Sequence, residues 1–168
     1  QRYLGNTNFY KPGGPLICVI GGQEALLTNF ITEGPIVEIA QAHNAWIIYP
    51  EHRYFGMSRP FENLRLDNLK YLQIDQVLAD VAHIIKAVKQ NQTTLENAKV
   101  VVAGFGLAGS YVSWFRLKYP ELSVGGWASS APIDIKPFVM NYRKDMGKTI
   151  KVVSGGAVSY THLRAHET

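Results

Sequence analysis

Several of the residues that would settle a function at a glance are scarce in this chain. One cysteine in 168 residues cannot build an internal disulfide framework. That residue, Cys18, lies within the apolar run Leu16–Ile20, where a thiol packs as a small, inert hydrophobe. No apolar run approaches the roughly 20 residues of a membrane span. Charge is sparse: 18% of residues are Asp, Glu, Lys or Arg, the net charge is +4, and the basic residues are scattered. A stripe for nucleic acid is therefore not expected. An initiator Met and a signal-peptide pattern are also lacking, and the text opens in mid-phrase with Gln1-Arg2-Tyr3. We read it as a portion of a longer protein.

What is present is an ordinary globular composition, 46% hydrophobic, in a length sufficient for one domain with a core. Short apolar runs at Leu16–Ile20, Trp46–Tyr49, Val100–Ala103 and Val124–Ala128 are bounded by Gly, Pro or polar residues. They read as buried parallel strands. Between them the spacing predicts helices over Pro35–Ala42, with Ile36, Ile39 and Ala40 on one face, over about Leu69–Lys89, with Leu72, Val77, Leu78, Val81, Ile84, Ile85 and Val88 as a stripe, and over Leu107–Tyr119, stopped by Pro120. Alternation of this kind gives an α/β fold with a mainly parallel sheet and helices on both faces. Chemistry then belongs at the carboxyl ends of the strands. Three loops qualify: Gly21-Gly22-Gln23-Glu24, Pro50 to Pro60, and Gly104 to Gly109.

The third loop reads G-x-G-x-x-G through Gly104, Gly106 and Gly109, the spacing of a dinucleotide site. Yet at least two strands precede it, and the next strand ends Trp127-Ala128-Ser129-Ser130 with no acid at its tip. Both features weigh against that reading. A nucleophile elbow uses the same small residues for another purpose, two before and two after a reactive side chain held in a strained strand-to-helix turn. Centred on Gly106, the flanks are Gly104 and Ala108, and the attacking side chain is missing. Asn91-Gln92-Thr93 is a glycosylation acceptor pattern in a polar stretch between elements. His162 and His166 stand four apart, but the tail from about residue 158 is similar to translated adapter or vector sequence. We expect it to be foreign to the fold, with no metal site.

From Gln1 to about Val153 the chain resembles the serine carboxypeptidases related to prolylcarboxypeptidase, dipeptidyl peptidase II and thymus-specific serine protease. Glu51-His52-Arg53-Tyr54-Phe55-Gly56-Met57-Ser58-Arg59-Pro60-Phe61 closely matches that family's E-H-R-Y-Y-G-x-S-x-P-F signature. Gly13-Gly14-Pro15 leading to Gly21-Gly22, Asn68-Leu69-Lys70-Tyr71-Leu72 with Gln76 to Asp80, Trp114 to Pro120, and Ala128 to Pro132 match further segments. The resemblance implies the N-terminal part of an α/β-hydrolase fold over 1–136 and the start of a helical insert over 137–157, which leaves the adapter-like tail over 158–168. It also implies proteolysis beside a chain end through a Ser-Asp-His triad without a cofactor, peptide substrates, a secreted or lysosomal location, and scope for a homodimer in the full-length protein.

Against the family's elbow, G-G-S-Y-[SAG]-G, the serine position falls on Gly106 and the tyrosine on Leu107. No other G-x-S-x-G occurs, and Ser58 and Ser110 lack elbow flanks, so both are expected to be structural or surface hydroxyls. Acyl transfer by this route needs an oxygen nucleophile and a histidine that takes its proton. We therefore expect an inactive chain, a fragment of a peptidase homologue. The alternative is a pseudoenzyme that binds peptides or a partner without cleaving. Oxyanion donors would be the Leu107 amide and one from the Gly22-Gln23-Glu24 loop, where Gln23 replaces a carboxylate of the family pattern. Glu51, His52 and Arg53 are expected to be structural, with Glu51 and Arg53 pairing near a strand end. His43 and His83 are expected to be ordinary helix residues. The triad's Asp and His are expected downstream of the insert, and the portion alone is expected to be poorly soluble because it exposes strand edges.

Overall fold

The computed structural model describes residues 1–134 and 140–153. Five strands form one sheet in the order β1-β3-β2-β4-β5, with β1 at Tyr3–Asn6, β2 at Leu16–Val19, β3 at Trp46–Pro50, β4 at Val100–Phe105 and β5 at Gly125–Ser129. β2, β3, β4 and β5 run parallel: Ile17 lies opposite both Ile47 and Val101, and Ala103 opposite Trp127. β1 is antiparallel to β3, with Leu4 opposite Tyr49.

The alternation of side chains along each strand divides the core in two. On one face Leu16, Cys18, Ile48, Val100 and Val102 pack with the apolar stripes of α4 (Ile74–Asn91) and α5 (Leu107–Lys118). On the other, Ile17, Val19, Ile47, Tyr49 and Ala103 pack against α1 (Asn29–Thr32) and α2 (Pro35–His43) through Ile31, Ile36, Val37 and Ala40. Strands covered on both faces explain the continuous apolar runs. The Cys18 thiol is fully buried, and its pKa is pushed up to about 12 by that burial, so it is a core atom and not a nucleophile. α2 ends on Asn44, whose left-handed backbone (φ 54°) returns an amide to the Ala40 carbonyl.

Several sequence expectations need correction. β1 was not foreseen: its four residues carry no alternating apolar signal. The long helix expected from Leu69 is broken, a single turn, α3 (Leu66–Leu69), preceding α4. Leu72 falls in the break and is exposed, as is Ile39 on α2. The break is held by tertiary bonding, the Tyr71 carbonyl accepting from Arg53 Nη1 at 2.9 Å. β5 is not a buried strand; Trp127 and the preceding Val124 are exposed. Asn91 is the exposed last residue of α4 rather than part of a connection.

Residues 1–133 form one compact unit, and the described residues beyond it belong to another. In the second, α6 (Met140–Val153) carries an Asp145–Lys148 pair one turn apart at 3.3 Å. The expected insert over 137–157 is described only for that helix. The tail with His162 and His166 lies outside the described residues. Among those described, no helix is long and apolar enough to cross a membrane.

Candidate active site

β4 ends at Phe105 and α5 begins at Leu107, so Gly106 alone turns the chain from strand to helix. It does so at φ 59°, ψ −127°, a conformation that side-chain-bearing residues adopt only under strain. The turn is pinned from both sides: Gly106 N donates to the Ser129 carbonyl at 2.9 Å, and Ser110 N donates to the Gly106 carbonyl at 3.2 Å. Gly104 is glycine for contact reasons, since a Cβ there would lie 2.4 Å from the Ala108 carbonyl oxygen. A Cβ on Gly106 would meet nothing within 4 Å. The turn is therefore tight at its base and open where a side chain would project. The Leu107 amide opens the first turn of α5, where helix N–H groups have no carbonyl four residues back.

The loop after β2 approaches the same end of the sheet. Ile20 N bonds to the Ala103 carbonyl at 2.7 Å. Gly22 is half-buried, and Gln23 and Glu24 are exposed. Glu24 lies near enough to Tyr49 for its charge, after burial itself and ahead of Glu51, to push the phenol's pKa up.

Aromatic residues surround the elbow, a feature missed in the sequence reading. Phe105 stacks on Phe30, with ring centres 6.2 Å apart at 27°, and meets Trp127 edge-on at 5.8 Å. A cleft of about 370 Å³ opens beside Phe105, lined also by Phe30, Pro35 and Ile36, with Glu33 as its one charged wall among the described residues. The available signal was Phe105 itself, a large side chain where the family pattern has the second glycine of G-G-S-Y.

The Glu51-His52-Arg53 motif leaves the end of β3, and its three side chains go three ways. Glu51 is buried. Its carboxylate accepts from Ser58 Oγ at 2.6 Å, Met57 N at 3.2 Å and Leu26 N at 3.3 Å. Burial alone would raise its pKa. The bonds from Ser58, Leu26 and Met57 and the charge of Arg2 more than offset that, so the carboxyl titrates below its usual range. Gly56 (φ 55°) must be glycine here, because a Cβ would fall 1.9 Å from Glu51 Oε1. Arg53 does not pair with Glu51, as the sequence reading expected. It forks onto Asp80 of α4, with Nε–Oδ2 2.7 Å and Nη2–Oδ1 2.6 Å, and reaches Gln76 with Nη1. Glu51 is already satisfied by neutral donors, while Asp80 is placed by α4 for a bidentate pair.

His52 is buried, with Phe55 edge-on at 4.9 Å and Tyr111 at 5.6 Å. Its Nδ1 lies 2.6 Å from the Arg53 carbonyl. A carbonyl only accepts, so Nδ1 carries the proton, and Nε2 faces the Tyr111 hydroxyl at 3.4 Å as acceptor. Burial foremost, with the Arg53 charge adding, holds the imidazole's pKa below its ordinary 6.5. Both nitrogens are engaged, Nδ1 within the motif and Nε2 with Tyr111 of α5. Ser58 and Ser110 are buried hydroxyls; Ser110 Oγ donates to the Pro132 carbonyl at 2.7 Å. His43 and His83 are exposed on α2 and α4.

Comparison with known proteins identifies the family and the fold. The model of the family described as Serine carboxypeptidase S28 matches residues 1–163. The chain is 37% identical over 137 residues to the Lysosomal Pro-X carboxypeptidase of Homo sapiens, covering 79% of this chain and 28% of that protein. It is 33% identical over 136 residues to the Prolyl carboxy peptidase like protein 5 of Caenorhabditis elegans, covering 79% and 27%. It thus spans about a quarter of the length of the curated relatives it matches. Among solved structures it is similar to an α/β hydrolase enzyme from a lagoon-sediment metagenome, with a TM-score of 0.53 and 15% identity over 96% of this chain and 62% of that one. The fold is that of the α/β hydrolases.

Proposed function

Since the chain belongs to the serine carboxypeptidase S28 family, we propose that it carries the elbow half of a serine exopeptidase site whose nucleophile position is empty, and that it does not perform acyl transfer. The observation carrying this reading is Gly106, the single residue between β4 and α5, at φ 59° and without a side chain. Acyl transfer by a triad begins with a hydroxyl oxygen attacking a carbonyl carbon while histidine removes its proton. A hydrogen atom at this position can do neither. The buried hydroxyls Ser58 and Ser110 are bonded to Glu51 and Pro132 and do not replace it. The Leu107 amide and the Gly22-Gln23-Glu24 loop remain as donors toward a developing oxyanion. In a related system such remnants leave about 10³–10⁴-fold acceleration over water, far short of useful turnover. The parental reaction is removal of a residue or dipeptide beside a chain end, in a lysosomal or secreted setting.

The test is a fluorophosphonate probe applied to the full-length protein. No covalent capture is expected from the parent. Capture at a stoichiometric level overturns the proposal. Capture by a Gly106→Ser variant is expected if the remaining triad is carried elsewhere in that protein.

A second reading, peptide binding without cleavage, is favoured by the cleft beside Phe105. An apolar, aromatic-lined hollow of about 370 Å³ suits one or two peptide side chains. Binding measured in the absence of turnover supports it, and a Phe105→Gly variant is expected to weaken that binding.

A further inference from the structure

We propose that a second cleft, formed by the loop after β3 against the front of α4, is a binding site for a carboxylate joined to an apolar body. It goes beyond the elbow and shares none of its residues. The cleft holds about 490 Å³, and among the described residues Arg2, Arg53 and Arg59 line it against a single carboxylate, Asp80. Arg53 is consumed by Asp80, the Tyr71 carbonyl and Gln76. The other two are not. Arg59 uses only Nε, on the Gly56 carbonyl at 3.1 Å, which leaves both terminal nitrogens. Arg2 bonds through its backbone amide to Ser58 Oγ at 2.9 Å, and its guanidinium has no hydrogen-bond partner among the described residues.

Glu51, whose carboxyl feels the Arg2 charge, does not cancel it by contact. It is buried, and its oxygens are bonded by Ser58, Leu26 and Met57. Two guanidiniums thus reach the cleft uncompensated. Planar forks of this kind recognise carboxylates by paired N–H donors. The lining also carries aromatic surface: Phe61 and Tyr71 stack with ring centres 5.9 Å apart at 19°, and the Lys70 ammonium, a further positive charge, lies 5.0 Å from the Tyr71 ring centre. Cations would be repelled, and a bare anion would leave the rings unused. The lining therefore selects a carboxylate with an apolar or aromatic portion, from a free acid or from an acidic peptide.

Calorimetric titration of the full-length protein with 3-phenylpropionate and with N-acetyl-Asp-Phe-amide tests the site and separates the two sources, the tighter ligand naming the source. The amide analogue of 3-phenylpropionate and inorganic phosphate are the controls. Expected results are binding of an acid, at least tenfold weaker binding of both controls, and at least tenfold loss in Arg59→Gln and in Arg2→Gln. Raising salt from about 0.05 to about 0.5 M is expected to weaken binding several-fold. Both arginines are exposed, so unchanged melting temperatures of the variants show that folding is intact. A Gly106→Ser variant is expected to bind the acid as the parent does, which separates failure here from failure at the elbow. Equal binding of the amide, parental binding by Arg59→Gln, or no binding of either acid overturns the proposal.

Discussion

At the scale of single residues, Gly106 and Gly56 show two different reasons for glycine. At 106 the space is open and only the backbone objects: φ is 59°, yet a Cβ would touch nothing. Serine should therefore fit sterically while adding strain of about 1–3 kcal/mol. Gly106→Ser and Gly106→Ala are expected to lower the melting temperature by similar amounts, since both add the same Cβ, and only the serine variant can gain reactivity toward a fluorophosphonate. A large difference in stability between the two would show that the turn does not hold the geometry described. At 56 both the backbone and a buried carboxylate object. Gly56→Ala must displace the Glu51 carboxyl, first of all Oε1, which accepts from Leu26 N, and a loss of about 3 kcal/mol is expected in denaturant unfolding. If that variant is as stable as the parent, Glu51 is not held where Gly56 admits it.

At the scale of elements, the fork from Arg53 to Asp80 fastens the loop after β3 to α4, and the His52–Tyr111 contact fastens it to α5. Removing one partner leaves a half-buried charge without its mate, so Asp80→Ala is expected to cost about 2–4 kcal/mol. The same measurement on Arg53→Ala should give a similar value, and the double variant should lose much less than the two combined. Additive losses would mean that the two side chains act apart. This fastening also marks where sequence reasoning stopped. The parallel strands were legible because burial on both faces makes them continuous apolar runs, as in Leu16–Val19. α5 was legible because Gly, an apolar stripe and Pro120 punctuate it. β1 was not, because an edge strand with one buried residue, Asn6, carries no such pattern. The partner of Arg53 was not legible either. Asp80 lies 27 positions away, and only the rotation of α4 places it within reach in preference to Glu51. At the elbow the missing hydroxyl could be read from spacing alone, whereas the stacking of Phe105 on Phe30 depends on how α1 lies over the sheet.

At the scale of the whole molecule, two buried titratable groups of the motif respond to acid in the same direction. The folded-state pKa of His52 lies below its ordinary 6.5, so as pH falls through 6.5 the unfolded chain takes up a proton that the folded chain refuses. Stability present above that value is then lost progressively toward the folded pKa. Glu51 lies below its ordinary 4.5. Its contribution is complete above 4.5 and is lost as pH falls further, since the unfolded carboxyl protonates first. The melting temperature should therefore decline in two stages on acidification, the first beginning near pH 6.5 and the second below about 4.5. The first stage is the one that a mildly acidic setting reaches, because it opens at pH 6.5, whereas the second needs pH below about 4.5. His52→Gln keeps a group that can face both the Arg53 carbonyl and the Tyr111 hydroxyl but does not titrate. Melting curves of parent and variant between pH 7.5 and about pH 5 are expected to converge as pH falls, with the parent showing the steeper decline. Parallel curves across that range would mean that the imidazole is not held neutral by its burial, and the tautomer assigned to His52 would fall with it.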